Sequence, residues 1–237
     1  MAATIATLVI GVVCLALTPR HDGALPRGFQ SPVFAAELVR NSSELVQVYG
    51  TAAQAGRCEN EAHNAECDFI RGLRWNTGAD FFFIAGYTVT FVLLARLLPG
   101  ALGAAAVALA MIACVGDITE NLGMFRAMSD PATDALALAV RAPSVLKWTA
   151  LALLWLALAL LFLAPAATRT SPPLWRVLEG LAGLGYLLGG ALCFYALLAR
   201  DALVEPATTA IFLAGLLQVA ILWRDTGFLR RYGLVAA

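Results

Sequence analysis

The segment GDITEN places Asp117, Glu120 and Asn121 at i, i+3 and i+4, on one face of a helix, within a stretch otherwise apolar enough to cross a membrane. Ionisable side chains in such a stretch are costly and point to function by default. Asp80 and Tyr87 in the preceding apolar stretch and Lys147 at the start of the following one are the groups that can join them. In this reading Asp117 and Glu120 are the principal ligands and Asp80 and Asn121 support them. Lys147 is the counter-ion, and Tyr87, about two turns below Asp80, lines a pocket under the cluster.

Three chemistries compete for these residues. Carboxylates facing inward in a membrane line sites or paths for a cation, a cationic ligand or a lipid head group, which makes a transport or binding protein the leading expectation. A second reading is a membrane-embedded, metal-assisted lipid-modifying enzyme. Three carboxylates and an amide suit a hard divalent cation, Mg²⁺, Mn²⁺ or Ca²⁺, better than zinc. The third is a structural network, in which Lys147, Arg126, Arg71 or Arg74 pairs with the acids and the chain is a non-catalytic assembly subunit. No catalytic residue and no resident cofactor is assigned on these grounds.

The elements that must position these residues follow from composition. Of 237 residues, 60% are hydrophobic and only 14% charged, and sixteen basic residues balance sixteen acidic ones. Mean hydropathy is +0.78. Too little polar surface remains to cover a soluble globule. No basic excess exists to neutralise nucleic-acid phosphates, and disorder would need the opposite balance. The expectation is an all-α, polytopic transmembrane helix bundle forming a single membrane domain over 1–237.

A membrane helix needs ~20 mostly apolar residues. Six stretches are read as spans, at about 2–17, 80–98, 101–125, 147–164, 174–199 and 206–223. Pro19, Pro99-Gly100, Asp130-Pro131, Pro143, Pro165 and Pro172-Pro173 mark the breaks, and Pro206 is read as the first residue of the last helix. The first stretch lacks a basic leader and a small-x-small cleavage site, so a retained anchor is expected rather than a cleaved signal.

The tight Pro99-Gly100 turn makes spans two and three an antiparallel hairpin. Asp80 and Glu120 then lie at similar distances from the turn, ~30 Å along their helices at ~1.5 Å per residue. Lys147 opens the fourth span at the same boundary, so Asp80, Asp117, Glu120, Asn121 and Lys147 are expected to converge there.

Between the first two spans, residues 18–78 form a polar, extramembrane helical loop. Phe34, Leu38, Leu45, Val48, Tyr49 and Ala52 recur at helical spacing, which predicts one amphipathic helix starting at Ser31-Pro32. Cys58 and Cys67 in this loop predict a disulfide and an oxidising compartment, against free thiols or a metal clip with His63. Cys14, Cys114 and Cys193 read as buried apolar groups. Basic residues divide too evenly between the two sides to set the orientation. The Cys pair sets it instead: a bacterial inner membrane with loop 18–78 on the outer side. Asn41-Ser42-Ser43 matches a glycosylation sequon by pattern.

Gly185 and Gly189 form a GxxxG step, read as close packing inside the bundle or as a seam for a homo- or hetero-oligomer. Glu179 is read as ion-paired or interfacial and Gln218 as an interhelical hydrogen bond. Trp75, Trp148, Trp175 and Trp223 are read as interfacial anchors. The partners expected are the lipid bilayer and a lipid or small cationic ligand. No span contains His, which excludes a bis-His haem in the bilayer. No phosphate-binding loop, zinc-protease or serine-hydrolase motif is present in the chain.

Overall fold

The computed structural model describes residues 2–21, 23–53, 58, 65–168, 172–199, 201–224 and 232. Among them every regular element is helical: α1 (Ala2–Leu17), α2 (Pro32–Glu37), α3 (Ser42–Ala53), α4 (Ala65–Ala95), α5 (Gly100–Ala127), α6 (Asp134–Thr168), α7 (Pro173–Ala199) and α8 (Val204–Arg224). Short 3-10 turns occupy Pro26–Gly28 and Asp201–Leu203.

Among the described residues five helices, α4 to α8, are long and apolar enough to cross a membrane. The chain is an all-α integral membrane helix bundle. The sixth expected span, α1, is also a single apolar helix, but at 16 residues it is shorter than those five.

Several helices outrun the stretches that hydropathy marks. α4 begins at Ala65, well inside the segment read as extramembrane. Over that first half Cys67, Ile70 and Leu73 are buried, whereas Asp68 and Arg71 are exposed and paired i,i+3. An amphipathic half-helix of this kind lowers mean hydropathy without ending the helix. α6 likewise begins at Asp134, and both Pro143 and Pro165 lie inside it rather than at its ends. Each proline deprives the carbonyl one turn earlier of its amide donor and crowds it with its ring, without ending the helix. Pro206 is the third residue of α8, not the first, but still falls in the turn whose amides have no helical partner.

The six long apolar helices alternate in direction, and each packs on the next around a central space. Asn76 Nδ2 donates to Cys14 O at 2.6 Å, and the Thr7 and Thr90 hydroxyls meet at 3.1 Å, which ties α1 antiparallel to α4. Gly116 and Gly123 of α5 lie against α6, and Gly183 and Gly190 of α7 lie against α6 from the other side. Gly185 and Gly189 face Ala214 and Ile211 of α8, so the GxxxG step is taken up within the chain. The ring closes where Gln218 Nε2 donates to Thr4 Oγ1 at 3.0 Å, while Gln218 Oε1 accepts from the Tyr186 hydroxyl.

The expected amphipathic helix is two helices, α2 and α3, forming a cap over one end of the ring. Asn41 breaks it: its Oδ1 accepts from Glu44 N at 3.0 Å, and Glu44 Oε2 accepts from Arg40 N at 2.9 Å. This reciprocal capping starts a new helix where hydrophobic spacing alone runs on. Leu38, Leu45, Val48 and Tyr49 are buried beneath the cap, Phe34 is partly buried, and the Ala52 side chain lies outside the described residues. Cys58 and Cys67 form a disulfide joining the cap to α4. His63 lies outside the described residues. Cys14, Cys114 and Cys193 are free, and only Cys193 is fully buried.

Candidate functional site

Lys147 lies where α6 comes closest to α5. A Cβ on Gly116 would stand 3.2 Å from Lys147 Cβ and 3.1 Å from Pro143 O, so only a glycine lets the two helices approach this closely. The approach carries the ammonium onto the acidic face of α5. Lys147 Nζ donates to Glu120 Oε1 at 2.7 Å and to Asp117 Oδ1 at 3.1 Å. Its third partner is Glu37 Oε2 at 3.0 Å, brought down by the cap. An ammonium has three N–H groups, and all three are engaged.

The remaining acid oxygens fare differently. Tyr87 donates its hydroxyl to Asp117 Oδ2 at 2.8 Å, so both oxygens of Asp117 have partners. Trp148 Nε1 donates to Glu37 Oε2 at 2.9 Å, and the Lys147 ammonium sits 4.7 Å from the Trp148 ring centre. Trp148 is therefore buried in the site rather than anchored at the interface. Trp75 and Trp223 are exposed on the outside of the bundle, as anchors should be. Glu120 is wholly buried and its Oε2 has no hydrogen-bond partner. Asp80 Oδ2 accepts from Asn121 Nδ2 at 2.9 Å. Among the described residues, no Lys, Arg or His lies within ion-pair distance of Asp80.

All six residues expected at the site, Asp80, Tyr87, Asp117, Glu120, Asn121 and Lys147, are thus brought together at the capped end. Arg126 pairs with Asp130 and Arg71 with Asp68, away from the cluster. Four carboxyl groups, those of Glu37, Asp80, Asp117 and Glu120, gather around one ammonium, which pairs with all but Asp80. Carboxylates drawn from water in such excess are costly unless a further cation balances them. Burial pushes the Glu37 carboxyl above the usual carboxylate range, against the pull of Lys147. The carboxylates gather on the ammonium, and among the described residues no three His, Cys, Asp or Glu are disposed to hold a metal ion.

Glu37 is the site residue absent from the sequence reading. It stands in the run VFAAELV, where Ala35, Ala36, Leu38 and Val39 are fully buried. A lone acid inside an apolar run is the signal that could have found it. The cap holds it in place through its own ties to the bundle. Glu205 Oε1 of α8 accepts from Gln30 N and Ser31 N at 2.9 and 2.8 Å, just before α2. Asp201, almost wholly buried, takes Arg27, Arg40 and Arg141, the last two at 3.1 and 3.2 Å. Asp134 Oδ1 accepts from Ser42 N at 2.8 Å at the start of α3.

A cavity of about 1240 Å³ occupies the centre of the ring and reaches this cluster. Glu37, Asp80, Tyr87, Asp117, Lys147 and Trp148 line it at the capped end. Glu179 is buried in α7 and does not line it. The chain matches no protein-family model, no curated protein and no solved structure, so the reading of this site rests on its own geometry.

Proposed function

We propose that this is a membrane binding protein whose acidic, boundary-level pocket takes a cationic group, the head of a lipid or a cationic ligand, at Asp80. One observation carries the reading: Asp80 lines a large cavity with a hydrogen bond from Asn121 and, among the described residues, no ion-pair partner. Asp117 and Glu120 are already engaged by Lys147, so they act as the fixed anionic wall behind Asp80 rather than as the principal ligands. The acids that tie the cap to the bundle, Asp201, Glu205 and Asp134, are taken up by guanidinium groups or backbone amides. Asp80, half-buried at the cavity wall, has no such ionic partner among the described residues, and a carboxylate drawn from water without a counter-ion is costly.

The disulfide supports placing the cap on the oxidising outer face, as in a bacterial inner membrane. Binding of the cation would then occur from the outer leaflet or from the outer solution, and the same pocket could serve a transport cycle.

The direct test uses purified full-length protein in phosphatidylcholine nanodiscs titrated with n-butylammonium, read by thermal unfolding. Saturable stabilisation is expected, with Asp80→Asn at least tenfold weaker. An Asp80→Asn protein that titrates like the wild type would overturn the reading.

A further inference from the structure

The cavity extends far past the acids. It is lined from Glu205, Thr18 and Ser31 at the cap to Thr4 and Gln218 at the other end. At ~1.5 Å per residue, Glu205 and Gln218 lie ~20 Å apart along α8, two-thirds of a ~30 Å hydrocarbon core. Its volume exceeds the ~300–1,000 Å³ usual for small-molecule pockets. Below the carboxylates the wall is Leu8, Val12, Phe83, Phe91, Leu151 and Phe212.

The polar groups at the far end are spent on one another. Thr7 bonds to Thr90, and Thr4, Gln218 and Tyr186 form a chain. That end offers no ladder of free oxygens to a hydrated ion. Charge is confined to the capped end, where Glu37, Asp80, Asp117 and Glu205 outnumber Lys147 and the exposed Arg20. Trp155, 3% exposed, lines the cavity below the acids, and its indole N–H has no acceptor.

Resting on the binding reading above, we infer that the ligand is a long-chain, amine-headed amphiphile. Its ammonium pairs with Asp80, and its chain fills the slot between α1, α4, α6 and α8. A carboxylate head would meet only Lys147, whose three N–H groups are used, and Arg20 at the solvent-exposed mouth. A bare alcohol would leave Asp80 unpaired. Because the chain exchanges lipid for an apolar wall, the head must supply the preference in a bilayer.

The experiment uses full-length protein in phosphatidylcholine nanodiscs, with Trp75, Trp175 and Trp223 replaced by Phe. Trp148 and Trp155, which line the slot, then report on it. The probe is n-hexadecylamine brominated near its chain end, a fluorescence quencher. Saturable quenching is expected at low mole fraction, with Asp80→Asn needing at least tenfold more probe. Hexadecanol and palmitate should compete at least tenfold less well than hexadecylamine.

Gly215→Leu, which adds bulk where a Cβ would already stand 3.3 Å from Leu8 Cδ2, should exclude the long-chain probe and keep n-butylammonium binding. Leu8→Phe tests the same point from α1. Butylammonium binding that needs Asp80, combined with quenching that never saturates, would overturn the amphiphile and leave the acidic site standing. Hexadecanol competing as well as the amine, with Asp80→Asn silent for both probes, would overturn both.

Discussion

Asn121 Nδ2 donates to Asp80 Oδ2 at 2.9 Å, although the two residues stand 41 positions apart and belong to opposite arms of a hairpin. The hairpin turns at Pro99-Gly100, where Gly100 takes a left-handed φ of +49°. This bond holds Asp80, which has no ion pair among the described residues, at the cavity wall. Asn121→Ala should cost about 1–2 kcal/mol of stability and weaken n-butylammonium binding several-fold. A double-mutant cycle with Asp80→Asn, read by thermal unfolding, should show the two effects to be strongly non-additive. Full additivity would mean that the pair does not act together.

Lys147 holds three carboxylates, two from α5 and one from the cap. Lys147→Met leaves them buried without a counter-charge and should destabilise the protein by about 3–5 kcal/mol. Adding Asp117→Asn and Glu120→Gln removes the stranded charge and should recover much of that loss. Thermal unfolding of the single and triple variants in detergent checks both statements. A single variant as stable as the wild type would contradict the central role of this ammonium.

The raised Glu37 carboxyl links the cap to pH. Burial favours its neutral form, so the folded protein keeps a proton that the unfolded chain has released. The linked stability is complete below the ordinary glutamate range and declines as pH rises through the raised value. Glu37→Gln cannot lose that proton. Its unfolding temperature should therefore fall less than that of the wild type as pH rises above the ordinary glutamate range. Parallel pH profiles for the two proteins would show that Glu37 does not titrate in this window.

Cys58 and Cys67 close a short loop between the cap and α4. Cys58→Ser should cost about 2–3 kcal/mol and abolish the effect of reductant on thermal unfolding. The wild type, but not the variant, should also shift in mobility on reduction in a denaturing gel. Identical behaviour of the two would rule out the bond in the purified protein.

Local chemistry determined much of this protein. Apolar runs of sufficient length specify membrane helices whatever surrounds them, because a backbone in lipid must bond to itself. The i, i+3, i+4 spacing of Asp117, Glu120 and Asn121 and the Pro99-Gly100 turn were enough to bring Asp80 level with Asn121. Two cysteines in one polar loop were enough to indicate the disulfide.

Only the tertiary structure decided which acid is free. Gly116 lets α6 approach until Lys147 saturates on Asp117, Glu120 and Glu37, and that close approach between helices leaves no mark in either helix's own periodicity. Glu37 reaches the site because Glu205, Asp201 and Asp134 tie the cap to distant helices, contacts spanning 92 to 175 positions of chain. The prolines inside α6 could not be told from helix ends, since packing on α5 and α7 compensates for the missing hydrogen bonds. The cavity belongs to no single segment. It is the space left when six helices close a ring, and its shape follows from how side chains on all of them fail to meet at the centre.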